Sequence, residues 1–150
     1  MTIRIRPARP EDLDWLLAQL RQFSDFFGSK RPLLGDEAYA RDQLSLIMRD
    51  HLMLIADGEG VGPVGFTAGL LNPHFFNPDI RVLAEAFWWV DHDHRGSRAA
   101  SLLMDAFIDW GREHADWITF ALQERTRIKD QSLIKRGFKR QEKNFLMEIA

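Results

Sequence analysis

The stretch from Val90 to Leu103, VDHDHRGSRAASLL, holds residues whose types and spacing suggest chemistry. Within it, Arg95-Gly96-Ser97-Arg98-Ala99-Ala100 has no bulky side chain apart from its two arginines, and an apolar helix pattern follows. A helix start presents N–H groups without intrahelical acceptors and a partial positive charge. Small residues let a phosphate reach those N–H groups, and guanidinium groups add charge-assisted donors. Alone, the run reads better as a tight turn with a solvated arginine pair. The apolar strand before it and the long amphipathic helix after it favour an anion site.

Upstream stands Glu85, the only acid within Val82–Val90. A carboxylate among Leu83, Ala84, Ala86 and Phe87 loses hydration, which favours its protonated form and suits a general base. Strand alternation puts Glu85 on one face with Phe87 and Trp89, beside an aromatic wall. The plainer alternative is a surface carboxylate paired with Arg81.

Other candidates are weaker. Asp91-His92-Asp93-His94 has the donor types of a metal site, but His51, His74 and His114 offer no ligand spacing. These residues read as solvated or helix-flanking, so no metal is expected, and His92 or His94 remains an alternative proton relay. Arg125, Arg127 and Lys129 form a basic cluster suited to a ribose phosphate or an acidic acceptor, or simply a solvated loop. Phe75 and Phe76 suit a lid or an interface, whereas Trp88 and Trp89 are core residues by default.

These residues need a frame. Thr2–Arg6 alternates as a short strand. Pro10 then opens a helix with Leu13, Leu16, Leu17, Leu20 and Phe27 on one face, broken at Gly28–Pro32. Asp36 caps a second helix with Ala40, Leu44, Ile47 and Met48 inward. Leu52–Ala56 and Val64–Leu71 read as a hairpin, and Asn72–Asp79 as a loop. Val82–Val90 is a strand, and Ala99, Leu102, Leu103, Ala106, Phe107 and Trp110 mark the clearest amphipathic helix. Trp117–Leu122 is another strand, Lys129–Arg136 a short helix stopped by Gly137, and Phe138 onward and Phe145–Ile149 supply closing strands. The order is β-α-α-β-β-β-α-β-α-β, an α+β (α/β layered) fold with a mixed sheet flanked by helices.

The 150 residues fit a single domain, 1–150. A net charge of −2 provides no global field for nucleic acid or an anionic membrane surface. The absence of cysteine excludes disulfides and thiolate chemistry. The N-terminus has no signal-peptide pattern and no run is long enough to span a bilayer, so a cytoplasmic protein is expected.

On these residues the sequence resembles the GNAT superfamily of N-acetyltransferases. Its pyrophosphate segment reads V-x-P-x-x-R-G-x-G-x-G/A followed by leucines; Val90, Arg95, Gly96 and Ala100 stand in register, and Leu102-Leu103 follow. His92 replaces the proline and Arg98 the middle glycine. Thr2–Ala8 with Glu11-Asp12, Gly62–Phe66 and Ile134–Phe138 resemble further family segments in the right order. The resemblance implies central strands that splay apart and an acetyl-CoA co-substrate in the gap. It implies pantetheine pairing at the backbone of Trp89 and Val90. It also implies pyrophosphate held by the N–H groups of Arg95, Gly96, Ser97, Arg98, Ala99 and Ala100, with the Ser101 hydroxyl nearby. Glu85 becomes the base for a primary amine on a small molecule or peptide. The family's usual acid, a tyrosine, is replaced by Leu133; Ser132 and Tyr39 are the substitutes at hand. A CoA-binding or protein-interaction module without turnover is the alternative, and the resemblance leaves a homodimer open.

Overall fold

The computed structural model describes residues 1–150. Strand β1 (Ile3–Pro7) passes through a 3-10 turn (Pro10–Asp12) into helix α1 (Leu13–Phe27), and α2 (Glu37–Asp50) follows. Then come β2 (Leu52–Gly58), β3 (Gly62–Pro73), β4 (Arg81–Val90), a second 3-10 turn (His92–His94), α3 (Ala99–His114), β5 (Trp117–Thr119) and α4 (Gln131–Ile134). The expected caps are in place: Gly28 closes α1, and the Asp36 carboxylate accepts from the Tyr39 N–H at 3.0 Å to open α2.

The sheet is mixed, with strands in the order β1-β2-β3-β4-β5. Neighbours are antiparallel up to β4, whereas β4 and β5 run parallel because α3 carries the chain across between them. Alternation along β3 separates the two faces. Phe66 and Ala68 join Leu16, Leu17, Leu44, Met53, Ile55 and Trp89 in a core against α1 and α2. Gly65 and Gly69 point the other way, toward Leu103 and Phe107 of α3. A Cβ on Gly69 would stand 2.6 Å from the Phe107 ring, so α3 reaches its depth only over a bare position.

Charge pins the start of α1. The Arg6 guanidinium donates to the buried Asp12 carboxylate at 2.8 and 2.9 Å and pairs with Asp57 of β2. The hydrogen bonds from Arg6 hold Asp12 below the usual carboxylate value, against its burial.

The chain forms two compact units, Met1–Thr119 and Phe120–Ala150. The second differs from expectation. The strand expected over Trp117–Leu122 stops at Thr119, and the helix expected over Lys129–Arg136 is the single turn Gln131–Ile134. The closing strands expected from Phe138 onward and at Phe145–Ile149 do not form. Phe145, Leu146, Met147 and Ile149 are exposed, and no residue from 120 to 150 is buried. A strand gains stability from a neighbour that takes its backbone hydrogen bonds, and a one-turn helix barely exceeds its nucleation cost. No helix is long and apolar enough to cross a membrane.

Candidate active site

Strand β4 runs on past the end of its short parallel neighbour. Val82, Leu83 and Ala84 pair with Trp117, Ile118 and Thr119, and the pairing goes no further. On the other side β4 stays paired with β3 as far as Val90. Glu85 is thus the first residue of β4 beyond its pairing with β5.

A register shift lies at the same place. Gly69 stands opposite Glu85 and Ala68 opposite Phe87, leaving Ala86 as the extra residue of a bulge. The bulge overturns one expectation. Phe87 and Trp89 pack on the α1 side, edge-on to Phe23 at 5.7 and 5.5 Å. Glu85 is paired with Gly69, which faces α3, so it does not share a face with those aromatics. Strict alternation fails because one residue is inserted between them.

Backbone direction corrects a second expectation. The Asp91 N–H donates to the Val64 carbonyl at 2.9 Å, which makes Gly65–Val90 a non-hydrogen-bonded pair. The N–H and C=O of Trp89 therefore turn toward β3, and those of Trp88 and Val90 toward the open edge. An extended ligand added to this edge meets Trp88 and Val90, not Trp89. Trp89 acts through its ring. It is 6% exposed, its indole N–H donates to Gln19 Oε1 at 3.1 Å, and the Arg95 guanidinium lies over it at 4.4 Å. Arg95 Nε also donates to the Val90 carbonyl at 3.3 Å.

Beyond β4 the chain makes the His92–His94 turn and reaches Gly96 with φ +86, a left-handed conformation that glycine adopts without strain. No atom lies within 4 Å of where a Cβ on Gly96 would be, so the loop surface there is open. Ser97 Oγ accepts from the Ala99 N–H at 3.3 Å, and α3 begins with Arg98 as its cap. Arg98 has φ −77, a conformation open to any residue, and it is exposed, so replacing the family's glycine distorts nothing. Ala99 is fully buried, so its small side chain serves packing beneath the loop. The Ala100 carbonyl accepts from the Trp88 indole N–H at 2.9 Å, while Ser101 is exposed on the first turn. A bare, open glycine followed by the first turn of a sixteen-residue helix fits a diphosphate.

The turn is tied down by Asp91. Its burial works to raise the carboxyl's pKa, but hydrogen bonds from the Asp93 N–H and the Gln19 and Gln22 amides, with nearby His94, bring it below the usual value. Sequence reasoning missed Gln19 and Gln22. The available signal was two amides placed i and i+3 on the apolar face of α1, where a polar residue needs a partner.

The remaining candidates scatter. Tyr39, on α2, is 63% exposed. Leu133 and Ser132 belong to α4 in the second unit, where the Ser132 carbonyl and Oγ accept from Arg136 at 2.8 and 3.3 Å. Arg127 and Lys129 line a shallow cavity of about 380 Å³ with Ile128, Gln131, Ser132 and Lys135. Arg125 is not among its lining residues. Phe75 and Phe76 are 90% and 83% exposed on the β3–β4 loop.

Five strands in sequential order, helices on both faces and a parallel pair at one edge joined by the crossover helix α3 define the GNAT-type acyltransferase fold. The model of the acetyltransferase (GNAT) family matches residues 15–138, and the chain belongs to that family. No curated protein matches the sequence. Solved structures share the fold at low identity. A transcriptional regulator from Bacillus halodurans C-125 is 20% identical, with a TM-score of 0.78 over 99% of this chain and 100% of its own. Glucosamine-6-phosphate N-acetyltransferase from Arabidopsis thaliana is 12% identical, with a TM-score of 0.76 over 100% of both chains. A predicted acetyltransferase with acetyl-CoA from Clostridium acetobutylicum is 14% identical, with a TM-score of 0.75 over 99% of this chain and 97% of its own.

Proposed function

We propose that this protein is an N-acetyltransferase that moves an acetyl group from acetyl-CoA to a primary amine of a small molecule or peptide. The observation that carries the reading is that β4 continues past the end of β5, from Glu85 to Val90, and runs on to the Gly96 loop and the start of α3. The open edge offers the backbone of Trp88 and Val90 to an extended chain. The N–H groups of Gly96, Arg98 and Ala100, with the Ser101 hydroxyl and the Arg98 side chain, then take a diphosphate at its end. Acetyl-CoA supplies the activated acyl carbon as a thioester. Glu85, just beyond the end of the β4–β5 pairing, takes the proton that the amine must lose; an alkylammonium is mostly charged at neutral pH and cannot attack otherwise. Positioning supplies the rest of the rate. A thiolate of pKa about 8.5 leaves without an acid. We read residues 1–150 as one acyltransferase domain, because the family match spans both units.

One observation favours a second reading, a module that holds acyl-CoA without turnover: Leu133 stands where the family's acid would be, and the sole tyrosine, Tyr39, is on α2. Calorimetry with acetyl-CoA, followed by thiol release with a panel of amines, separates the two. Gly96→Glu places a carboxylate on the open loop surface at a positive φ that costs a side chain about 1–2 kcal/mol. It is expected to abolish acetyl-CoA binding and lower the melting temperature by a few degrees, whereas Gly96→Ala carries the same strain without the charge and is expected to keep measurable binding. An unchanged affinity removes the loop from the cofactor site.

A further inference from the structure

Asp91 holds more partners than a turn residue needs. Its N–H donates to the Val64 carbonyl at 2.9 Å, and its own carbonyl accepts from the His94 N–H at 2.9 Å. Its Oδ1 accepts from the Asp93 N–H at 2.9 Å, and its Oδ2 from Gln19 Nε2 at 2.6 Å and Gln22 Nε2 at 3.4 Å. Gln22 returns to the turn, its Oε1 accepting from the His92 N–H at 3.3 Å. Gln19 is 2% exposed and its amide has one possible orientation. The Trp89 indole N–H can only donate and takes Oε1, whereas an ionised carboxylate can only accept and takes Nε2. The same Trp89 ring carries Arg95. One network therefore fixes the end of β4, the His92–His94 turn and Arg95, and it is anchored on α1.

The charge of Asp91 makes this arrangement informative. A carboxylate beside a loop built for an anion repels that anion, so electrostatics alone favours a neutral residue here. We propose that Asp91 is a positioning residue: through Gln19 and Gln22 it uses helix α1 to hold the Arg95–Ser101 loop in its ligand-ready shape, and its structural role outweighs its repulsion. The ligand half of this inference rests on the acyl-CoA reading above; the loop-ordering half does not.

Asp91→Asn makes the two effects oppose each other. Asparagine has one acceptor oxygen, so it cannot serve both the glutamine amides and the Asp93 N–H, and Gln19 cannot turn without facing Trp89 donor to donor. Amide hydrogen exchange of the ligand-free full chain is expected to speed up about tenfold across Asp93–Ser101. The Kd for acetyl-CoA by calorimetry is expected to rise about tenfold, with KM raised and kcat at saturation unchanged. Gln19→Leu, which changes no charge, is expected to act in the same direction. Unaltered exchange in both variants overturns the inference. So does an acetyl-CoA affinity for Asp91→Asn that is equal to or tighter than wild type, or a lower melting temperature with Kd unmoved. Failure of the wild-type chain to bind acetyl-CoA sinks the acyl-CoA reading, and the exchange measurement still decides whether Asp91 orders the loop.

Discussion

The two halves of strand β4 are built for different work. From Val82 to Ala84 every residue has a partner on both sides, in β3 and in β5, and Leu83 is fully buried against α3. From Glu85 to Val90 only β3 pairs with the strand. The outer half extends beyond β5, its register is shifted by the Ala86 bulge, and it feeds directly into the Gly96 loop. A doubly paired strand has no backbone groups left to offer a ligand. A singly paired one does, provided that the rest of the fold keeps it straight. Here α1 does this through Trp89 and Asp91, and α3 does it through Trp88. The inner half therefore supplies stability, and on the proposed acyltransferase reading the outer half supplies the site.

The sharpest way to break that contrast is at the residue on the boundary. Replacing Glu85 by glutamine keeps size and removes the base. Turnover is expected to fall by about 10²–10⁴-fold, the range for loss of a positioned acid–base group, with acetyl-CoA affinity retained. The defect shrinks as pH rises, because more of the acceptor amine is then already neutral. Initial rates of both proteins from neutral to alkaline pH check this. A small, pH-independent defect would assign Glu85 to the inner, structural half and leave proton removal to water or a histidine such as His92.

The inner half has the opposite signature. Leu83→Ala leaves a hole among Gly69, Gly111 and Phe107, and it is expected to cost about 3 kcal/mol of stability. Denaturant unfolding measures the loss, while calorimetry on the folded protein is expected to give an acetyl-CoA affinity within about twofold of wild type. If affinity falls along with stability, the two halves are not separable and the contrast fails.

Much of this arrangement was legible in the residues. The long apolar periodicity of α3, the Asp36 cap and the hairpin of β2 and β3 are local signals, and local physics decides them. The small-residue run after Val90 marked the loop for the same reason: a bare, positive-φ glycine before a helix is written in sequence. Three things were not legible. The Ala86 bulge depends on what lies across the sheet, since Gly69 must stay bare beneath Phe107 of α3. Which amides of β4 face outward depends on the register set by the Asp91–Val64 hydrogen bond. Both are tertiary facts, and together they moved the open-edge residues from Trp89 to Trp88 and reset the face of Glu85. The third is the stretch after Thr119. Its apolar run at Phe145–Ile149 has the composition of a strand, but composition alone provides no neighbour for the backbone to bond.

The smallest expected effect tests how the outer half is held. Trp88 stands opposite Thr67, and its indole N–H donates to the Ala100 carbonyl in the first turn of α3 at 2.9 Å. Trp88→Phe keeps an aromatic ring at that place and deletes the donor. A neutral hydrogen bond contributes about 1 kcal/mol to stability, so the melting temperature is expected to fall by about 2–4 °C for a chain of this size. Stability is only half of the forecast. Ala100 lies in the turn whose N–H groups are to meet the diphosphate, and Trp88 lies on the edge that is to meet the pantetheine. Removing this bond loosens one from the other, so acetyl-CoA affinity is expected to weaken by a few-fold while the Leu83 variant leaves it alone. Affinity unchanged in Trp88→Phe would mean that α3 and the outer half of β4 are each positioned without the other. The whole burden of shaping the site would then fall on the α1 side, through Asp91.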